Sequence, residues 1–195
     1  MGWLTRCGIW ISRIGHARGF GIHSPNDFSF VRDVIGEKLP YYAYSSIAEK
    51  CRGESRLTKK LCRLFFRVSN FIQPACVVDL APQTGLWSAS MRMGCRKARL
   101  QTVSDLKSLD FSQLQDKRSI IRIDATHIPD VISRISEIPA SCVMIVLYIH
   151  QDAQCYMNWQ KLAHNDDCRV VFDLYHSAII FFDKKRYKQK FTINY

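Results

Sequence analysis

The stretch "VVDLAPQTGLWSAS", residues 77–90, decides the fold prediction because it joins a strand to a helix through a short turn. The apolar segment "VVDL" is typical of a buried strand and carries a carboxylate, Asp79, near its end. A helical segment follows the single glycine of the turn, Gly85. In α/β proteins such a turn presents the free N–H groups of a helix N-terminus to a ligand. The stretch is therefore a cofactor-binding loop, intact or degenerate, or an ordinary strand-to-helix turn.

Helical and strand-like segments alternate around this stretch. The clearest helix is "SRLTKKLCRLFFRVSNFIQP", with Ser55 as a possible N-cap and Pro74 at its end. The predicted strands are "CVVDL", "RLQTV", "SIIRI", "CVMIVLYI", "CRVVFDLY" and "AIIFF", and further helices are "GLWSASMRMGC", residues 128–138 and "DAQCYMNWQKLAH". The alternation predicts an α/β fold: a Rossmann-like, mainly parallel sheet with helices on both faces and a C-terminal antiparallel hairpin. The most apolar strand, "CVMIVLYI", is predicted at its centre.

The first 55 residues are irregular and helical in pattern, whereas helical and strand-like runs alternate in the rest. This difference predicts a helical N-terminal extension packed on a core formed by residues 56–195. The segment "MGWLTRCGIWISRIGHARGFG" has no continuous apolar centre and no small-residue cleavage site, which argues against a signal peptide. It is typical of an amphipathic helix, which either packs on the body of the protein or contacts an anionic membrane surface peripherally. No apolar run approaches the roughly 20 residues of a membrane-spanning helix.

Charge and cysteine content narrow the classes of function. A net charge of +11 is compatible with an anionic partner, but the basic residues are scattered, so nucleic-acid binding has the least support. The eight cysteines show no CxxC spacing. They predict free thiols in a reducing cytoplasm, with no zinc or other metal site.

Several motifs together carry a family resemblance. The segments "GFGIHSPNDFSFVRDVI", "PYYAYSSIAEKCR", "LCRLFFRVSNFIQP" and "DLYHSAIIFFDKKRYKQKFTINY", with the strand–turn–helix stretch between them, cover residues 19–195. They are similar to a bacterial branch of the class I S-adenosylmethionine-dependent methyltransferases that carries an N-terminal "GIHSP" element. The resemblance implies S-adenosylmethionine as cofactor and methyl transfer as the activity. The methyl acceptor and the oligomeric state have no signature in the sequence.

The resemblance also implies a set of cofactor-binding positions. Asp79 matches the acid that approaches the methionine amino group, Ala81 stands where the first glycine belongs, and Gly85 matches the second glycine. The acid that holds the ribose hydroxyls is matched directly by Ser104, with Asp105 one residue later. The implied cofactor-binding residues are Asp79, Leu80, Ala81, Thr84, Gly85 and Asp105.

The chain departs from the family pattern after the third predicted strand. The resemblance implies acidic loops after two successive strands, yet "VMIVLYIH" is the only strand that we recognise there. Its His150 matches the family histidine, whereas Leu147 and Tyr148 stand where carboxylates are expected. We therefore predict that one strand–helix unit is missing between Ile123 and His150.

Three further side chains are candidates for chemistry or substrate binding. His150, at a strand end, is either a general base or a polar residue of no special role. His23 and Tyr42 are candidate substrate-binding residues. The alternatives are that His23 shapes the N-terminal turn and that Tyr42 packs on the sheet.

Two functions remain as competing hypotheses. The first is a small cytoplasmic S-adenosylmethionine-dependent methyltransferase, which needs few compulsory catalytic side chains because alignment of the nucleophile supplies much of the rate. The second is a degenerate, non-catalytic member of the same fold that serves as a binding or scaffold protein. Ala81, Pro82, the two replaced carboxylates and the shortened sheet favour the second hypothesis.

Overall fold

The structure of the chain, a computed structural model, describes residues 22–195. The predicted amphipathic N-terminal helix, and with it the hypothesis of peripheral membrane contact, lies outside these residues. Within residues 22–195, no helix has both the length and the apolar character needed to cross a bilayer.

The described residues form six α-helices and seven β-strands, with short 3-10 turns between them. The helices are α1 (Pro25–Phe30, continued by a π-helical turn, Val31–Ile35), α2 (Tyr44–Lys50), α3 (Arg56–Ile72), α4 (Leu86–Gly94), α5 (Ile128–Ser133) and α6 (Ala153–His164). The strands are β1 (Cys76–Leu80), β2 (Arg99–Val103), β3 (Ser119–Asp124), β4 (Cys142–Leu147), β5 (Val170–Asp173), β6 (Ser177–Phe181) and β7 (Gln189–Thr192).

All seven strands belong to one sheet with the order β2-β1-β3-β4-β6-β5-β7. Strands β2, β1, β3 and β4 are mutually parallel, whereas β6 runs antiparallel to both β4 and β5. This confirms the predicted Rossmann-like sheet with its C-terminal antiparallel hairpin. It also confirms that "CVMIVLYI" supplies the central strand, β4, whose six residues are all buried.

The predicted position of the missing strand–helix unit is wrong. β3 and β4 pair directly and continuously, from Ser119 opposite Cys142 to Asp124 opposite Leu147, so no strand is absent between Ile123 and His150. The shortening lies instead between β2 and β3. In the commonest doubly wound sheet a further strand flanks the second one. Here the connection holds only two 3-10 turns, and β2 is the edge strand. A short connection at the edge of the sheet leaves the pairing of its central strands intact.

Each face of the sheet is covered by its own core. Residues that point to one face, such as Val77, Ile120 and Ile145, pack with α1 to α4. Their neighbours on the other face, such as Val78 and Ile121, pack with α5, α6 and the 3-10 turns. Helices therefore lie on both faces, as the alternating sequence predicts.

The helix ends follow the sequence signals in most cases. The Ser55 hydroxyl accepts a hydrogen bond from the Thr58 amide (3.0 Å) and caps α3, as predicted. The predicted helix over residues 128–138 is shorter in the structure, because Arg134 leaves helical geometry (φ −123°, ψ 15°) and a 3-10 turn follows. The Arg134 guanidinium donates to the carbonyls of Leu106 and Leu109, and these hydrogen bonds hold this segment against the β2–β3 connection.

Strand β7 is the one described strand that the sequence did not predict. The basic run before it is typical of a solvated tail, but Gln189–Thr192 pairs in parallel with β5. The Phe191 ring stacks on Phe172 with 5.4 Å between centroids. This contact anchors the chain end against the core.

The seven described cysteines are buried and unbridged. Burial raises the pKa of the Cys62, Cys142 and Cys168 thiols to about 12. These thiols are therefore uncharged at neutral pH and act as small apolar side chains.

Candidate functional site

The order of the sheet places a candidate site at the carboxyl ends of β1 and β3. The chain passes from β1 to β2 on one side and then returns to β3 on the other side of β1. Ligands of doubly wound sheets bind where the strand order reverses in this way. The turn formed by residues 81–85 and the N-terminus of α4 lie above this point.

A buried cluster of two carboxylates and one guanidinium occupies the end of these strands. Arg122 of β3 lies opposite Asp79 of β1, and its Nε donates to Asp79 Oδ1 at 2.5 Å. Its Nη1 donates to Asp124 Oδ1 at 2.6 Å. The Arg122 side chain is fully buried and that of Asp79 is 1% exposed. We refer to Asp79, Arg122 and Asp124 as the strand-end cluster.

The strand-end cluster carries one formal negative charge in a nearly dry environment. Burial raises the pKa of the Asp79 carboxyl above its ordinary value, and the Arg122 charge opposes this effect. Among the described residues, no direct hydrogen bond of normal geometry reaches Asp79 Oδ2 or Arg122 Nη2. The Ser88 hydroxyl lies near the Asp79 carboxylate and favours its charged form, which lowers the pKa. One acceptor and one donor are thus left over, which is chemically what the ammonium and carboxylate of an amino acid require.

Ala81 occupies the position in the turn where glycine would be favoured. Its φ is +41°, in the left-handed region that an L-residue enters at a cost of about 1–2 kcal/mol. Its amide donates to the Val103 carbonyl at 2.7 Å, which holds the turn against the end of β2. The turn therefore has a backbone shape that glycine adopts more readily than alanine.

Ala81→Gly is expected to stabilise the protein by about 0.5–1 kcal/mol, because relief of left-handed strain exceeds the added freedom of the unfolded chain. Chemical denaturation of the wild type and the variant measures this difference. Ala89→Gly, in the middle of α4, is the matched control and is expected to destabilise by about 1 kcal/mol. Equal effects of the two substitutions would contradict the strain at position 81.

Leu80, Thr84 and Gly85 differ in their contacts and in which of their atoms face the turn. The Leu80 side chain is buried on the opposite face from Asp79, so only its backbone faces the turn. Thr84 Oγ1 accepts from the Leu86 amide at 3.3 Å. Gly85 is the N-cap of α4 with ordinary backbone angles (φ −76°, ψ 2°) and open space where a side chain would start. The backbone conformation of Gly85 therefore does not itself require a glycine at this position.

Asp105 lies in the loop after β2, at the same end of the sheet. The pairing of Leu80 with Val103 brings the ends of β1 and β2 side by side. Asp105 is exposed, and its Oδ1 accepts from the Lys107 amide at 3.0 Å, so the carboxylate begins a 3-10 turn. The directly matching Ser104 is also exposed.

The residues after β4 form a packed aromatic cluster. The His150 ring stacks on Tyr175 with 4.3 Å between centroids and contacts Tyr156 at 4.7 Å. Tyr148 has a left-handed backbone (φ +61°), and its amide donates to the His176 carbonyl. Burial, followed by the Asp124 charge, raises the pKa of the Tyr148 phenol. Tyr148 directly follows Leu147, which pairs with Asp124 in the sheet, so it lies close to the strand-end cluster, whereas His150 is held between two rings.

The two candidate substrate-binding residues lie on the surface. His23 is exposed just before α1. The neighbouring Ser24 hydroxyl accepts from the Asp27 amide, as an N-cap does. Tyr42 is 71% exposed, and its ring lies edge-on to Phe66 with 6.1 Å between centroids. No contact described for either residue joins it to the strand-end cluster.

Sequence reasoning missed Arg122 and Asp124, the partners of Asp79. A signal was present, because an arginine in the middle of the apolar strand "SIIRID" must find a buried anion. Asp124 ends β3, so an acid does follow the strand before β4. The first of the two acidic positions that the resemblance implies is therefore present as Asp124, whereas β4 ends in Leu147 and Tyr148 without a carboxylate.

Comparison with known proteins supports the fold assignment. No protein-family model matches the chain, and no curated protein sequence matches it. A methyltransferase from Geobacter sulfurreducens superposes with a TM-score of 0.52 at 14% identity, over 92% of this chain and 97% of that chain. The Podospora anserina methyltransferase PaMTH1, in an SAH-bound structure, superposes with a TM-score of 0.52 at 10% identity, over 87% of this chain and 98% of that chain. The chain therefore has the Rossmann-like fold found in methyltransferases.

Proposed function

We propose that this chain is an S-adenosylmethionine-binding, methyltransferase-like protein with its cofactor at the carboxyl ends of β1, β2 and β3. The observation that carries the proposal is the strand-end cluster, which leaves one buried acceptor and one buried donor without partners beside the turn of residues 81–85. The SAH-bound state of PaMTH1, a protein of similar fold, supports the choice of ligand.

The residues at this edge fit the two ends of the cofactor by different chemistry. Asp105, exposed at the end of β2, offers a carboxylate oxygen for ribose hydroxyls. Asp79 Oδ2 and Arg122 Nη2 match the ammonium and carboxylate of the methionine part. Both atoms are buried, so the ligand reaches them only when the side chains above them move aside. When bound, S-adenosylmethionine supplies an electrophilic methyl group to a nucleophile.

A second proposal, a non-catalytic binding or scaffold protein, rests on Arg122 itself. This chain supplies its own cation to both strand-end carboxylates, so Asp79 is already paired without a ligand ammonium. His150, the candidate base, is stacked between two tyrosine rings. In this proposal the cluster serves stability alone.

Calorimetric titration with S-adenosylmethionine and S-adenosylhomocysteine separates the two proposals. The first predicts binding that Asp105→Ala weakens by about 10-fold or more, since a hydrogen bond to a charged group contributes about 1.5–3 kcal/mol. Asp110→Ala is the matched control. Asp110 is an exposed aspartate that caps the next 3-10 turn through the same type of bond (3.0 Å to the Ser112 amide), and its loss should leave affinity unchanged.

The ligand series then tests the amino-acid end of the site. 5′-Methylthioadenosine lacks the amino-acid part, so it should bind at least about 10-fold more weakly than S-adenosylhomocysteine if Asp79 and Arg122 hold that part. Equal affinities would assign the strand-end cluster to stability alone. If S-adenosylmethionine and S-adenosylhomocysteine both bind with a Kd of about 1 mM or weaker, a binding free energy of about −4 kcal/mol, the cofactor proposal is wrong and the scaffold proposal remains.

A further inference from the structure

A basic cleft opens between the segment after α1, the first three turns of α3 and the end of the chain. Its volume is about 580 Å³, within the range of small-ligand sites. Six cationic side chains line it: Lys38, Arg56, Lys59, Lys60, Arg63 and Arg67. Glu37 is the single acidic side chain among the described lining residues. None of the lining residues belongs to the turn of residues 81–85.

The cations follow one face of α3. Positions 56, 60, 63 and 67 are spaced by four, three and four residues, so their side chains lie above one another. Like charges at these spacings repel and destabilise a helix. Within residues 22–195, no carboxylate lies within 4.0 Å of the five outer cations, Lys38, Arg56, Lys59, Lys60 and Arg63. The repulsion is therefore not offset by an acid of the described chain.

Buried polar groups hold the floor of the cleft rigidly. Arg67 is 5% exposed, and its Nε and Nη2 donate to the carbonyls of Val34 and Ile35 at 2.6 and 3.2 Å. Its Nη1 donates to the Tyr44 hydroxyl at 2.8 Å, so the proton of that hydroxyl is free to point elsewhere.

Two further cations lie over aromatic rings. The Arg63 guanidinium lies 5.0 Å from the centroid of the Tyr44 ring, and Lys60 Nζ lies 4.0 Å from that of Tyr195. These contacts position both charges without neutralising them. The cleft thus presents charge on a fixed frame.

We propose that this cleft binds a small phosphate-bearing polyanion. Planar guanidinium groups match phosphate oxygens bidentately, and the Tyr44 hydroxyl adds a neutral donor. Burial, with the nearby charges of Arg56 and Arg67, lowers the pKa of the Lys60 ammonium, and a bound anion relieves that repulsion. The limited volume of the cleft, about 580 Å³, favours a small ligand over a nucleic acid, which binds along an extended basic groove.

The probe for the test is inorganic tripolyphosphate, titrated calorimetrically into the full chain. We expect one site per chain, with weaker binding of inorganic phosphate because it meets fewer cations. The double variant Lys59→Gln/Arg63→Gln should lose at least about 10-fold in affinity, because two charge-assisted contacts are removed.

The matched control is Arg96→Gln/Lys97→Gln, which removes one arginine and one lysine from an exposed loop outside the cleft. It should change affinity by less than about two-fold. Thermal unfolding verifies that both variants fold. Absence of binding in the wild type, or equal loss in both variants, overturns the proposal. Tighter binding of a short single-stranded RNA than of tripolyphosphate would also overturn it and reassign the cleft to nucleic acid.

Discussion

Replacement of Arg122 by leucine is expected to lower the free energy of unfolding by about 3–5 kcal/mol, because it leaves two carboxylates without their cation. Asp79 is 1% exposed and Asp124 is 8% exposed, so neither recovers full hydration in the folded state. For a chain of this size the midpoint of thermal unfolding should fall by about 10 °C. Denaturant and thermal unfolding at neutral pH measure the effect.

The pH dependence of the same variant identifies the cause of the loss. Without the Arg122 charge, burial raises the pKa of Asp79 further above the value of the unfolded chain. The folded variant then binds more protons than the unfolded chain, so its stability falls as the pH rises. The deficit relative to wild type should therefore be smaller at about pH 5 than at about pH 8.

An arginine at the other end of the same strand is the control. Arg118 is exposed just before β3 and donates to the Ile72 carbonyl at 3.3 Å. Arg118→Leu should cost about 1 kcal/mol or less, with no special pH dependence. A loss below about 1 kcal/mol for Arg122→Leu, or one independent of pH, would contradict a structural role for the cluster.

The sheet was predictable because its strands differ strongly in composition from their surroundings. Strand-like runs of four to eight residues, separated by helical patterns or by turns, are enough to identify β1 to β6. Strand β7 escaped because its four residues, "QKFT", contain only one apolar side chain, and that residue, Phe191, is held by tertiary stacking on Phe172. Composition alone cannot reveal a contact of that kind.

The position of the shortening could not be read from the sequence for a related reason. The pairing of β3 with β4 is a contact between segments that are distant in the sequence. The segment between Ser104 and Ser119 has no strand-like or helical pattern that would show where an element is absent. Likewise, Asp79 could be identified from its place in a strand–turn–helix stretch. Its partner Arg122 lies 43 residues further along the chain and is brought opposite Asp79 only by the register of β1 with β3.

Gly94→Ala is expected to destabilise the protein by about 3 kcal/mol, near the upper end for overpacked sites. Gly94 ends α4 where this helix crosses α3. An added Cβ would lie 2.3 Å from the Phe66 carbonyl oxygen and 2.8 Å from the Asn70 nitrogen. Both are backbone atoms of α3, so no side-chain rotation relieves the clash and the two helices must separate. Chemical denaturation measures the loss.

Gly85→Ala is the matched control at the opposite end of the same helix. No atom lies within 4 Å of the added Cβ, and φ is −76°, so stability should change by only about 0.5 kcal/mol. Similar losses for the two variants would contradict the helix contact at Gly94. The control also tests the proposed function, because its methyl group projects into open space beside the turn of residues 81–85. If S-adenosylhomocysteine lies over that turn, Gly85→Ala weakens its binding while leaving the fold intact, which packing alone does not predict.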